Sequence, residues 1–175
     1  MCKFETKTGK IFIIHNSYLL LMFSKEELKN YNIQFWNEMK QRMSKHRGAS
    51  GKKINWLQYK TNIPNLFVRL ETNKNDCKFC FDIQLKDATI REVVWEQMGE
   101  LKKVLVDEMG NEGTWIEHYS TPTVNDMCRI EWTLENTTYL NATNKEKIIN
   151  FFEDKLVRFD RFYDTYGEIL YHLIK

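Results

Sequence analysis

Apolar residues recur at the helical period of 3.6 in three stretches of the chain. The first stretch predicts a helix over about 25–44, and the second predicts a helix from Thr89 to Gly110, since a glycine is typical of a helix stop. The third predicts a helix from Thr143 to the C terminus. Each start has the pattern of a capping box, which pairs Ser24 with Glu27, Thr89 with Glu92 and Thr143 with Glu146.

The predicted C-terminal helix carries a long aromatic stripe that includes Phe152, Phe159, Phe162 and Tyr166. With a rise of 1.5 Å per residue, such a helix is longer than a small sheet is wide. We therefore expect either a bend at Gly167 or a second chain against part of the stripe, as in a homodimer.

Alternating apolar and polar residues predict two pairs of strands between the helices. The segments 66–72 and 77–85 are joined by a polar turn and read as an antiparallel hairpin, and further strands are expected near 114–119 and 127–134. The alternation in 77–85 predicts one buried and one solvated face. The order of elements predicts an α+β fold, in which a four-stranded, largely antiparallel sheet packs with three helices, the last of them long.

A length of 175 residues suits one domain. We expect residues 22–175 to form a single α+β domain and residues 1–21 to be an N-terminal extension outside the fold. The apolar run in 11–21 is interrupted by polar residues and lacks the cleavage site of a signal peptide. No apolar run reaches the length of a membrane span, and four cysteines without a secretory signal indicate reduced thiols. We therefore expect a cytoplasmic protein with no membrane partner.

Motifs for metal, nucleotide and catalytic sites are incomplete. Cys77 and Cys80 form a C-x-x-C pair within a predicted strand, where positions i and i+3 point to opposite faces rather than to one metal ion. Two residues separate Gly48 from Gly51, whereas a phosphate-binding loop needs four between its glycines. We therefore identify no catalytic residue, no metal ligand and no cofactor, and whether the protein is an enzyme stays open.

The charge distribution points to a partner. Between Met39 and Leu70 there are eight Lys or Arg residues and no Asp or Glu, although the net charge of the whole chain is only +2. Aromatic residues interleave with these charges, an arrangement typical of proteins that hold nucleic acid strands by phosphate contacts and base stacking. The predicted contact residues are Lys45, Arg47, Lys52, Lys53, Asn55, Trp56, Tyr59 and Lys60.

In that prediction the cations meet phosphates while Trp56 or Tyr59 stacks on a base. The competing interpretation is that both aromatic residues belong to the core and that the lysines form a solvated rim.

Three segments, Phe35-Trp36, residues 50–60 and Phe159-Asp160-Arg161-Phe162, resemble a bacterial family of uncharacterised proteins known as domain of unknown function 4268. The resemblance covers about Met22 to the C terminus. In longer members a similar domain follows a half that resembles restriction-endonuclease-like nucleases, and that half, with its catalytic acids, is missing here. The resemblance implies a module that accompanies nucleic-acid enzymes, and it transfers no catalytic residue.

The leading functional hypothesis is a non-enzymatic module that binds nucleic acid through the loop between residues 45 and 60. The first alternative is a protein–protein or homodimerisation module that uses the aromatic C-terminal helix. The second is an enzyme accessory to nuclease-type defence systems.

Overall fold

Helix α1 (Lys25–Met43) begins at the predicted capping box, which is confirmed. The Ser24 hydroxyl accepts a hydrogen bond from the Glu27 amide at 3.2 Å, and the Glu27 carboxylate accepts one from the Ser24 amide at 2.7 Å. The structure is a computed structural model that describes residues 24–175. The predicted extension over 1–21 therefore lies outside the described residues.

A single four-stranded antiparallel sheet forms the centre of the fold, with strand order β1-β2-β4-β3. The α+β prediction is confirmed. After α1, the chain forms a 3₁₀ turn (Trp56–Gln58), β1 (Leu66–Thr72), β2 (Asp76–Ile83), α2 (Ala88–Glu100), α3 (Lys102–Met109), β3 (Thr114–Thr121), β4 (Val124–Glu135) and α4 (Ala142–Ile174).

The described residues contain four helices where three were predicted, because the stretch that begins near Thr89 is divided at Leu101. Leu101 has φ −85° and ψ 0°, a conformation outside the regular helix. As predicted, Gly110 ends this region, and its φ of +78° suits a residue without a Cβ atom.

The predicted caps at Thr89 and Thr143 are wrong. Asp87 caps α2 by accepting a hydrogen bond from the Thr89 amide at 2.9 Å, and Asn141 caps α4 by accepting one from the Thr143 amide at 3.0 Å. At the N-cap position Asp and Asn stabilise a helix at least as well as Thr, and here each of them stands two residues before the predicted threonine.

From Phe79 to Ile83 strand β2 is buried on both faces, so the predicted solvated face is wrong there, and only Asp76 and Lys78 at its start are partly exposed. Phe79 and Phe81 point into the core with the helices, whereas Cys80 and Asp82 belong to the opposite face and are equally inaccessible. The position of β2 between β1 and β4 explains this burial, because charged side chains of both neighbours cover and pair with Asp82.

Helix α4 has 33 residues, a length of about 50 Å, and continues without interruption through Gly167. A Cβ atom at this glycine would lie 2.9 Å from the Tyr163 ring. Phe152, Phe159 and Phe162 are buried in the chain's own core. These three rings therefore need no second chain to cover them. The homodimer stays a prediction, but these rings would not form its contact surface.

Candidate nucleic-acid interface

Residues 45–60, here called the basic segment, connect α1 to the sheet. Within it the Gly48 amide donates to the Lys52 carbonyl and the Gly51 amide donates to the Gly48 carbonyl, both at 2.8 Å. Gly51 has φ +77°, a left-handed conformation that favours glycine. These two bonds close a tight turn that presents Lys52 to solvent.

Asp160 of α4 attaches the basic segment to the rest of the protein. One of its carboxylate oxygens accepts a hydrogen bond from the Ala49 amide at 2.6 Å, and the other accepts one from the Tyr59 hydroxyl at 2.8 Å. The Asp160 side chain is largely buried, so these bonds form away from bulk water. Burial, followed by the bond to Asp160, raises the pKa of Tyr59 above its usual value, which keeps the phenol protonated as a donor.

Both predicted stacking residues contact other parts of the protein. Trp56 is only 4% exposed, and its indole N–H donates to the His46 carbonyl at 3.4 Å. The half-buried Tyr59 ring makes edge contacts with Phe159 and Tyr163. In this conformation Trp56 is part of the core, as in the competing interpretation, whereas base stacking by the half-buried Tyr59 stays a prediction.

The predicted cationic residues, in contrast, are exposed. Within the part of the chain that the structure describes, none of Lys45, Arg47, Lys52, Lys53 and Lys60 has a carboxylate within 4.0 Å. The same is true of Lys40, which precedes the segment on α1. The two remaining cations of the acid-free stretch are paired, Arg42 with Glu146 and Glu153 and Arg69 with Asp82. Six of the eight cations therefore have no carboxylate partner within 4.0 Å among residues 24–175.

A cleft of about 690 Å³ separates part of the basic segment from the C-terminal half of α4. Lys53, Asn55 and Lys60 line it, and Asn55 donates a side-chain hydrogen bond to Gln58 at 3.2 Å. A smaller hollow of about 330 Å³ is lined by Lys40 together with Lys53 and Asn55. Of the predicted contact residues, Lys53 and Asn55 thus border both concave surfaces, which are the places where a ligand gains most contact.

The contribution of α4 to this site is not predicted by the sequence patterns. The residues of α4 that line the cleft include Asp160, Asp164, Glu168 and Tyr171. Their spacing of four, four and three residues places them on one face of the helix. That periodicity is visible in the sequence, but it does not show which loop the face meets.

Other features of the described residues concern metal ligands, thiols and the length of the helices. Over residues 24–175 no cluster of three His, Cys, Asp or Glu side chains is arranged to hold a metal ion. Cys77, Cys80 and Cys128 are buried free thiols, and burial raises the pKa of Cys77 and Cys128 to about 11. None of the helices in the described range is long and apolar enough to cross a membrane. The accessory enzyme stays a prediction.

The fold and the site together define an α+β protein in which a basic segment with exposed Lys and Arg side chains is attached to the C-terminal helix. The family model described as a domain of unknown function (DUF4268) matches residues 32–167. The chain belongs to this family. The matched range contains the whole basic segment and most of α4. No curated protein matches the chain at a significant level.

Proposed function

We propose that the protein binds nucleic acid through the basic segment. The observation that carries this proposal is the set of exposed cations without carboxylate partners, concentrated in a stretch that lacks any acidic residue. A cation that is already paired must lose its partner before it binds a phosphate, whereas these side chains are available at no such cost. Lys45, Arg47, Lys52, Lys53 and Lys60 would contact phosphates, with Asn55 as a polar neighbour.

The way in which the segment is held supports the proposal. The bonds of Asp160 to Ala49 and Tyr59, and the burial of Trp56, restrain the backbone between the cations. A contact surface that is ordered before binding loses less conformational entropy on association. In this proposal Trp56 and Tyr59 position the cations.

Phosphate contacts predict a particular dependence on salt. Each cation that neutralises a phosphate releases bound counterions from the nucleic acid, so affinity falls steeply as the salt concentration rises. Five or six contacts of this kind reduce affinity by a factor of about 10³ between low and physiological salt.

The test is fluorescence anisotropy with labelled single-stranded and double-stranded DNA and RNA at two salt concentrations. The unmodified chain is compared with a Lys52→Glu/Lys53→Glu variant. The matched control is Lys86→Glu/Lys103→Glu, which makes the same change of charge at two exposed lysines that have no carboxylate partner among residues 24–175 and lie outside the segment. The proposal expects salt-sensitive binding that is lost in the first variant and largely retained in the control. Equal loss in both variants, or no binding to any of the four ligands, would overturn it.

A further inference from the structure

The two walls of the 690 Å³ cleft carry opposite charges. Lys53 and Lys60 stand on the wall formed by the basic segment, and Asp164 and Glu168 stand on the wall formed by α4. All four side chains are exposed at the surface of the protein. The cleft therefore carries both cations and anions, whereas a site for phosphate alone would need only cations.

These opposite charges do not pair with one another. Neither lysine has a carboxylate within 4.0 Å among the described residues, and the partner of Glu168 is His172, at 3.6 Å on the same helix. An ion pair across the cleft would close it. The open arrangement leaves cations and hydrogen-bond acceptors facing the same space.

An aromatic ring and a further cation stand beside this space. Tyr171 is 37% exposed and lines the cleft one turn beyond Glu168. The Lys175 ammonium lies 4.7 Å from the centroid of that ring. The Lys175 ammonium thus lies against the Tyr171 ring and adds a positive charge beside the carboxylates of this wall.

We infer that the cleft holds one nucleotide of a bound strand, with its phosphate at Lys53 and Lys60 and an amine-bearing base at Asp164 and Glu168. This inference rests on the proposed function and adds a preference for bases that carry an exocyclic amine. Carboxylates accept hydrogen bonds from the exocyclic amine of cytosine, adenine or guanine, and thymine has no such amine. The volume lies within the range of pockets that bind small molecules.

The experiment measures anisotropy with single-stranded homopolymers of deoxycytidine, deoxyadenosine and thymidine of equal length. The unmodified chain should bind the deoxycytidine and deoxyadenosine strands at least about fivefold more tightly than the thymidine strand. This factor is the lower end of the discrimination that a base contact provides. An Asp164→Ala/Glu168→Ala variant should bind all three alike, and its affinity for the thymidine strand should not fall, because two negative charges have been removed. An Asp107→Ala/Glu117→Ala control, which removes two exposed carboxylates elsewhere, should keep the discrimination.

The outcomes separate the inference from the proposal beneath it. Equal affinity of the unmodified chain for all three strands, or discrimination that survives in the Asp164→Ala/Glu168→Ala variant, would overturn the inference and leave binding by the basic segment intact. Absence of binding to all three homopolymers by a chain that binds double-stranded DNA or RNA would overturn the inference alone, and absence of binding to every nucleic acid tested would overturn both. Competition by free deoxycytidine monophosphate, but not by thymidine monophosphate, would show that the nucleotide unit itself occupies the cleft.

Discussion

Arg129 of β4 and Asp82 of β2 form a two-point ion pair across the two central strands. The Arg129 Nε lies 2.7 Å from one carboxylate oxygen and its Nη2 lies 2.9 Å from the other. The two side chains are 2% and 0% exposed. Arg129 also bonds to Glu71 at 2.9 Å, and Asp82 accepts a further bond from Arg69 at 2.9 Å.

We predict that Asp82→Ala lowers the free energy of unfolding by about 3–5 kcal/mol, since it leaves the buried guanidinium without its main partner. Urea denaturation measures the change. The control is Asp107→Ala, at an exposed carboxylate on α3, which should stay within about 0.5 kcal/mol of the unmodified chain. A loss below about 1 kcal/mol for Asp82→Ala would contradict a stabilising role for the pair.

The attachment of the basic segment to α4 can be tested through Asp160. Replacement by Ala removes the acceptor of the Ala49 amide and of the Tyr59 hydroxyl. We expect faster hydrogen exchange at the Ala49 amide and a loss of about 1–3 kcal/mol in stability, because two donors lose their partner.

Tyr59→Phe is the matched variant, since it keeps the ring and removes only the hydroxyl donor. It should cost about 1 kcal/mol and leave the Ala49 amide protected. Because both residues share one bond, the double variant should lose less than the sum of the two single losses. Unchanged exchange at Ala49 in Asp160→Ala would show that other contacts hold the segment.

The cysteines should be unreactive in the folded protein. Burial raises the pKa of Cys77, Cys80 and Cys128, and only the thiolate reacts readily with disulfide reagents. In a Cys2→Ser background, which leaves these three thiols, we expect no labelling near neutral pH under native conditions and labelling of all three in denaturant. Rapid labelling of any of them in the native state would contradict their burial.

The capping box of α1 should make stability depend on pH in the acid range. The hydrogen bond from the Ser24 amide lowers the pKa of Glu27 below its usual 4.5. A carboxylate with a lowered pKa in the folded state stabilises above its unfolded pKa, and this contribution disappears as the pH falls through the folded value.

Glu27→Gln retains an acceptor but does not titrate, so the difference in stability between the two chains isolates the effect. The advantage of the unmodified chain at about pH 6 should shrink by about pH 3. Thermal denaturation at both pH values measures it, and a difference that is independent of pH would contradict the prediction.

Local patterns were sufficient to predict the strands and the class of fold. They failed where two local signals compete, as at α2 and α4, where Asp87 and Asn141 act as caps in place of threonines further along the chain. Alternation along β2 was read as a solvated face because periodicity reports polarity and not burial. Asp82 is polar and inaccessible because its partners come from β1 and β4, which a single strand does not reveal.

The exposure of the lysine and arginine side chains in the basic segment agrees with the general tendency of these residue types to lie at the surface. Composition does not show that Trp56 and Tyr59 hold the basic segment against the rest of the protein. The hydrogen bond from Tyr59 to Asp160 joins residues about a hundred positions apart, and sequence spacing carries no record of such a contact. The acidic wall of the cleft was missed for the same reason.

The two unlike faces of β2 have a consequence for how the chain folds. Adjacent residues of a strand point to opposite faces, so a slip of one position against β4 would bring Asp82 among the aromatic rings of α4 and turn Phe81 toward Arg129. A buried carboxylate without its guanidinium is so unfavourable that such a misaligned sheet would not persist. The ion pairs thus select one alignment of the central strands, and with it the helix positions on which the cleft and the basic segment depend.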